Sequence, residues 1–247
     1  MITKNTVKFI QSLKQQKYRN EHQLFVVEGR KMVEELLRSP FEVNYLFATE
    51  KYLHEHPMDT SLMELVTEVQ MEQMSGQDTP PGILAVARIR KMEINSDEKM
   101  VLALDGIANP GNMGTIIRTA EWFGIKQVVC SEDCVELWNP KVIQATMGSV
   151  FRVSAVYTDL RRFLEESKSN GKAIYGALLE GENIFKKEGH WAGGVIVIGS
   201  ESHGIRGNIL PLITHPITIP RAEGSMTESL NASMATGIIL AEIMMKS

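Results

Sequence analysis

Three stretches of this chain carry residues suited to chemistry. Asn109-Pro110-Gly111-Asn112-Met113-Gly114 leads to Arg118, Gly199-Ser200-Glu201-Ser202-His203-Gly204 comes later, and Ile219-Pro220 is followed by Ser229-Leu230-Asn231. Glycines in the first stretch permit positive φ and close backbone approach, and a helix opening behind them offers unpaired N–H groups, as an anion or cofactor site requires. An ordinary turn with a helix cap fits the same residues. Gly106, Gly111 and Gly114 do not make G-x-G-x-x-G, so a Rossmann site is the weaker rival even with Glu132 downstream, and no G-x-x-x-x-G-K-[ST] occurs. Ser202 and His203 invite a hydrolase reading, yet no serine here stands in the G-x-S-x-G frame, and His203 reads as a loop histidine. Ser229, just before a long apolar segment, reads by itself as a helix N-cap.

The elements that must position these residues alternate as βαβα from about residue 100. Strand Val101 to Leu104 precedes the first stretch, and a helix with Ile116, Ile117, Ala120 and Phe123 follows it. Strand Gln127 to Cys130, a helix near Lys141 to Met147, strand Val153 to Tyr157, a helix capped by Asp159 and strand Ala173 to Leu178 come next. Val195 to Ile198 is an unbroken apolar run, expected of a buried parallel strand. A last strand near Ile217 to Ile219 and a helix from about Leu230 complete this part. Ligands in open α/β sheets sit outside the carboxyl ends of the strands, so the three stretches should converge.

Before residue 90 the pattern is that of a smaller α/β unit. A helix carries Val7, Ile10 and Leu13; strand Leu24 to Val27, a helix through Met32, Val33, Leu36 and Leu37, and strand Val43 to Phe47 follow. Strand Leu65 to Val69, a turn of helix near Met71 and strand Ile83 to Ile89 end it. The polar segment Lys91 to Lys99 reads as a linker, giving domains of residues 1–90 and 100–247.

Composition narrows the class. The chain has 247 residues, 43% of them apolar, enough for a packed core, and no window reaches the roughly 18 apolar residues of a membrane span. A cytoplasmic protein is expected. Cys130 and Cys134, with no histidine nearby, form neither a metal set nor a disulfide framework and read as reduced and structural, so no metal is expected. The net charge of −4 demands no nucleic acid, but the first 31 residues hold seven basic side chains, among them Lys14, Lys17, Arg19 and Arg30, against two acidic ones. A solvated helix face explains these, as does an RNA contact to which Tyr18 adds stacking.

Taken together, the three stretches resemble the three motifs of the SpoU (TrmH-type) family of SPOUT methyltransferases over roughly residues 100 to 245: Asn109 to Asn112 through Arg118-Thr119-Ala120, Val197 to Glu201 with Gly204, and Ile219-Pro220 with Ser229-Leu230-Asn231. Lys17-Tyr18-Arg19 and Phe25 to Gly29 are similar to a substrate-binding domain with a ribosomal-protein-like (L30e-like) α/β fold. The resemblance implies a parallel sheet closed by a deep trefoil knot, a homodimer, and S-adenosyl-L-methionine bound near Gly199, Ser200, Ile219, Pro220 and Leu230. It also implies methyl transfer to a ribose 2′-hydroxyl of RNA, with ribosomal RNA placed ahead of transfer RNA as substrate; a non-catalytic RNA-binding protein of the same fold is the alternative. Arg118, Asn112, Glu201, Ser229 and Asn231 are carried over as the catalytic set, with Glu201 as the anionic partner of Arg118. A guanidinium is a poor base at neutral pH, so Arg118 reads better as a clamp that stabilises charge. The loop Arg221 to Met226 is longer and more polar than the family pattern.

Overall fold

The apolar runs settle into two sheets. The computed structural model describes residues 2–58, 61–186, 190–191 and 193–246. In chain order its elements are α1 (Lys4–Ser12), α2 (Gln16–His22), β1 (Leu24–Glu28), α3 (Arg30–Leu37), β2 (Val43–Thr49), α4 (Glu50–Glu55), β3 (Met63–Val66), α5 (Glu68–Met74), β4 (Ile83–Arg88), β5 (Met100–Asp105), α6 (Pro110–Trp122), β6 (Gln127–Ser131), α7 (Pro140–Thr146), β7 (Ser154–Thr158), α8 (Leu160–Ser169), β8 (Ala173–Asn183), β9 (Gly194–Gly199), β10 (His215–Thr218) and α9 (Ala232–Met245). They form two compact units: the chain up to Lys91 joined by Glu136–Phe151, and Met92–Val135 joined by the chain from Arg152 onward.

In the first unit the sheet order is β1-β4-β2-β3, and β1 is buried along its whole length because both its faces are covered. Leu24 and Val26 point into a core with Ile10, Leu13, Phe47, Met71 and Met74. On the other face Phe25 stacks on Trp138 at 4.3 Å between ring centroids, and Phe41 meets Trp138 and Phe151 edge-on. The apolar side of Glu136–Phe151 thus completes the first unit, although the sequence reading runs the second domain continuously from 100 to 247. Two local expectations also shift. The strand expected at Leu65 to Val69 stops at Val66, because Thr67 and Gln70 make a reciprocal capping box that opens α5. The single N-terminal helix ends at Ser12, and a second one carries Tyr18 and Arg19.

The second unit holds a wholly parallel sheet of order β10-β8-β9-β5-β6-β7. Central β9 and β5 are nearly continuous in Val, Ile, Leu and Ala, as strands covered on both faces must be. Val101, Ala103, Val195 and Val197 pack with Leu160 and Leu164 of α8, while α6 and α9 pack on each other and α9 also reaches β9. The polar segment 92–99 is tied into this unit: Asn95 N donates to Gln127 Oε1 at 2.6 Å, and Lys172 Nζ reaches the carbonyls of Ser96 and Glu98. Both cysteines are free and buried, and no helix among the described residues is long and apolar enough to cross a membrane.

Candidate active site

β9, β5 and β6 are neighbours in the sheet, and β10 lies two strands from β9, so parallel strand ends bring the three stretches to one edge. Asn109 caps α6, its Oδ1 accepting from Gly111 N at 2.8 Å and Asn112 N at 3.1 Å. Of the glycines from 106 to 114, only Gly106 has a positive φ, at 72°. The first stretch is therefore a capped helix start with Gly111 and Gly114 inside α6, and the two N–H groups expected to await an anion are already taken.

Capping puts Asn112 in the first turn of α6, where its amide links the three stretches. Asn112 Nδ2 donates to Glu201 Oε1, and Asn112 Oδ1 accepts from Asn231 Nδ2 at 3.0 Å. Asn231 in turn caps α9, its Oδ1 accepting from Ser233 N at 3.0 Å and Ser233 Oγ at 2.6 Å. Asn231, not Ser229, is thus the N-cap of the last helix. The helix starts at Ala232 instead of about Leu230, and β10 ends one residue short of Ile219.

The other residues named from the sequence do not join this chain of hydrogen bonds. Arg118 is exposed, lies six residues along α6 from Asn112 (about 9 Å of helix rise), and makes no hydrogen bond or ion pair among the described residues. The expected Arg118–Glu201 pair is absent, since Glu201 is engaged by Asn112. Ser229 is exposed and unbonded among the described residues. Gly199 lies under its own loop: a Cβ there would stand 2.1 Å from Gly204 C, and Ser200 and Gly204 exchange backbone hydrogen bonds of 2.9 and 3.2 Å. Ser200 Oγ accepts from His203 N at 3.2 Å. Ile219 is half-buried, Pro220 exposed and Leu230 47% exposed.

The sequence reading missed a second polar network at the same strand ends. Asp105, 1% exposed, accepts from Arg206 N at 2.8 Å and Arg206 Nε at 2.5 Å, and Arg206 Nη1 reaches Asp133 at 3.2 Å. Ser131 Oγ donates to Asp133 Oδ1 at 2.6 Å, which holds that carboxyl below the ordinary carboxylate range, and accepts from Gly106 N at 2.9 Å. The signal available was an aspartate closing the apolar run Val101 to Leu104, because a carboxylate at the end of a buried strand needs a cation. Cys134 lies beside this network and accepts from Ile107 N at 3.2 Å. Its hydrogen bond with Cys130, helped by those from Ser131 and Ile107, brings it down to about 7, whereas the same bond and full burial push Cys130 well up.

A wholly parallel α/β sheet whose strand ends bring three polar loops together, without the dinucleotide fingerprint, defines the class. The profile of the SpoU rRNA methylase family matches residues 99–241 and that of the MRM3-like substrate binding domain matches residues 4–85. The chain belongs to the SpoU rRNA methylase family. It is 26% identical to the 23S rRNA (guanosine(2553)-2′-O)-methyltransferase RlmP of Bacillus subtilis, over 95% of this chain and 94% of that one. Among solved structures, a chain from Porphyromonas gingivalis ascribed to the TrmH family of RNA methyltransferases superposes with a TM-score of 0.90 at 33% identity, covering 100% of both chains. An AdoMet-bound rRNA methyltransferase from Sinorhizobium meliloti superposes with a TM-score of 0.86 at 26% identity, over 98% of this chain and 95% of that one.

Proposed function

We propose that this protein transfers a methyl group from S-adenosyl-L-methionine to a ribose 2′-hydroxyl of ribosomal RNA. The observation that carries the reading is the hydrogen-bonded chain Glu201–Asn112–Asn231, which draws one residue from each of the three strand-end stretches into a single site. The related enzymes from Bacillus subtilis and Sinorhizobium meliloti support the reaction, the cofactor and the class of RNA. The residues present fit the cofactor: Ile219, Pro220 and Leu230 keep apolar surface open for an adenine, and the partly exposed Gly199-Ser200 ends β9. When bound, it supplies an electrophilic methyl on a sulfonium, so the protein need only align the acceptor and stabilise charge. Holding the reactants about 3 to 3.5 Å apart supplies much of the acceleration.

Asn112 and Asn231 hold the polar wall of the site, and Glu201 fixes the Asn112 amide. Arg118, an exposed cation without a partner among the described residues, grips an RNA phosphate and stabilises the alkoxide as the 2′-oxygen loses its proton to solvent. Ser229 positions the ribose from the opposite loop. In the first unit, which supports a substrate-binding role with an L30e-like fold, Lys17 is exposed to RNA, Arg30 is exposed but paired with Glu34, and Lys14 donates to the Ser75 carbonyl. The route of the chain, out from β9 to β10 at the sheet edge and back to α9 against α6 and β9, supports a trefoil knot. Trp122 and Met234, 84% and 60% exposed on α6 and α9, support a homodimer through that face. We place the protein in the cytoplasm with its RNA.

Mapping 2′-O-methylation across ribosomal RNA in cells with and without the gene tests this reading. Loss of one methylated ribose in ribosomal RNA is the expected result. Loss confined to transfer RNA would overturn the substrate, and S-adenosylmethionine binding with no lost site would favour a non-catalytic RNA-binding protein.

A further inference from the structure

We propose that the Arg206–Asp105 pair is a positioning device that sets the loop after β9 for cofactor binding, an inference that rests on the methyltransferase reading above. Asp105 is the last residue of β5, and its buried carboxylate takes the Arg206 backbone N–H and the guanidinium fork together. Arg206 stands two residues beyond Gly204, at the far leg of the loop that folds back onto Gly199. The leg is held on one side by Asp105 and on the other by Asp133, whose second oxygen is bonded through Ser131 to the N–H of Gly106. Three adjacent strand ends, β9, β5 and β6, are thereby locked in one register.

An apolar contact would hold these ends together as firmly as a buried ion pair, but without direction. A planar fork fixes its partner in angle as well as distance. The loop it fixes is the one whose near leg, Gly199-Ser200, faces the cofactor and whose middle residue, Glu201, holds Asn112. A loop displaced by a fraction of an ångström on the cofactor side weakens cofactor binding before it disturbs the RNA, which meets other residues. Arg206 touches neither reactant and acts through the loop.

The experiment compares full-length wild type with Arg206→Lys, which keeps the charge and loses the fork. Steady-state methyl transfer with separate variation of S-adenosylmethionine and RNA is read together with calorimetric binding of S-adenosylmethionine. The expected result is a KM for S-adenosylmethionine raised about tenfold, with kcat and the KM for RNA within about twofold of wild type. A simple loss of folded protein would lower apparent kcat and leave both KM values alone. An Arg206→Lys protein with an unchanged KM for S-adenosylmethionine, or with kcat lowered and KM unmoved, overturns the proposal. Should Arg206→Lys fail to fold, Asp133→Asn removes only the outer, exposed arm; it is expected to raise the same KM about threefold, and an unchanged KM overturns the proposal. Wild type that binds no S-adenosylmethionine at all would sink the methyltransferase reading itself, an outcome separable from wild type and Arg206→Lys binding equally well.

Discussion

Arg19 in the first unit and Arg118 in the second both stand out in the sequence as cations for RNA or its chemistry, and the structure puts them in opposite conditions. Arg19 is 2% exposed; its Nη1 donates to the carbonyls of Leu13 and Lys14, each at 2.8 Å, and its Nε to Glu136 at 3.0 Å. It closes the carboxyl end of α1 and ties Glu136–Phe151 to the first unit, so it is withdrawn from the RNA-contact set. Arg118 projects from α6 with no hydrogen bond or ion pair among the described residues. A guanidinium buried against a carboxylate and two carbonyls is architecture, and one exposed on a helix is available to substrate.

Four changes break or sharpen that contrast. Arg19→Ala leaves Glu136 and two carbonyls without their donor, and unfolding by denaturant is expected to show a loss of about 3 to 5 kcal/mol. Arg118→Ala is expected to leave the unfolding midpoint in place and to lower kcat by about 100- to 1,000-fold, about 2.7 to 4 kcal/mol, in transfer to RNA; near-normal turnover would strip Arg118 of its role.

The thiols give a smaller, pH-dependent effect. Cys134 titrates near 7, below its ordinary value, so folding gains stability as pH rises from about 7 toward 9 and loses it as pH falls through 7. Cys130 is raised, which works against the folded state only above about 9. Unfolding midpoints at pH 6.5, 7.5 and 8.5 are expected to climb in wild type and to stay level in Cys134→Ser. The smallest change is Lys17→Ala: exposed Lys17 is expected to leave stability within about 0.5 kcal/mol and to reduce the salt slope of RNA binding by about one.

Much of the fold was legible because its signals are local. Apolar periodicity located most strands and helices, and Asp159 caps α8 as its place in the chain suggests, accepting from Arg162 N at 3.1 Å. The residues of the polar hub were legible too, but their partners were not. Glu201 reads from the sequence as a counter-ion for Arg118, and the geometry of α6 gives it to Asn112 instead. The Asp105–Arg206 pair spans 101 residues, a separation that no window of sequence covers.

The sequence alone determined that β9 is a buried parallel strand, since only a doubly covered strand is apolar on both faces. It also determined which side chains gather at the strand ends, because parallel strands deliver their following loops to the same edge. Tertiary structure decided which cations are bare and which are consumed, and which unit claims Glu136–Phe151. Those outcomes depend on burial and on partners distant in the chain: a guanidinium is drawn inside only where a carboxylate and orphan carbonyls already wait for it, as they do for Arg19 and do not for Arg118.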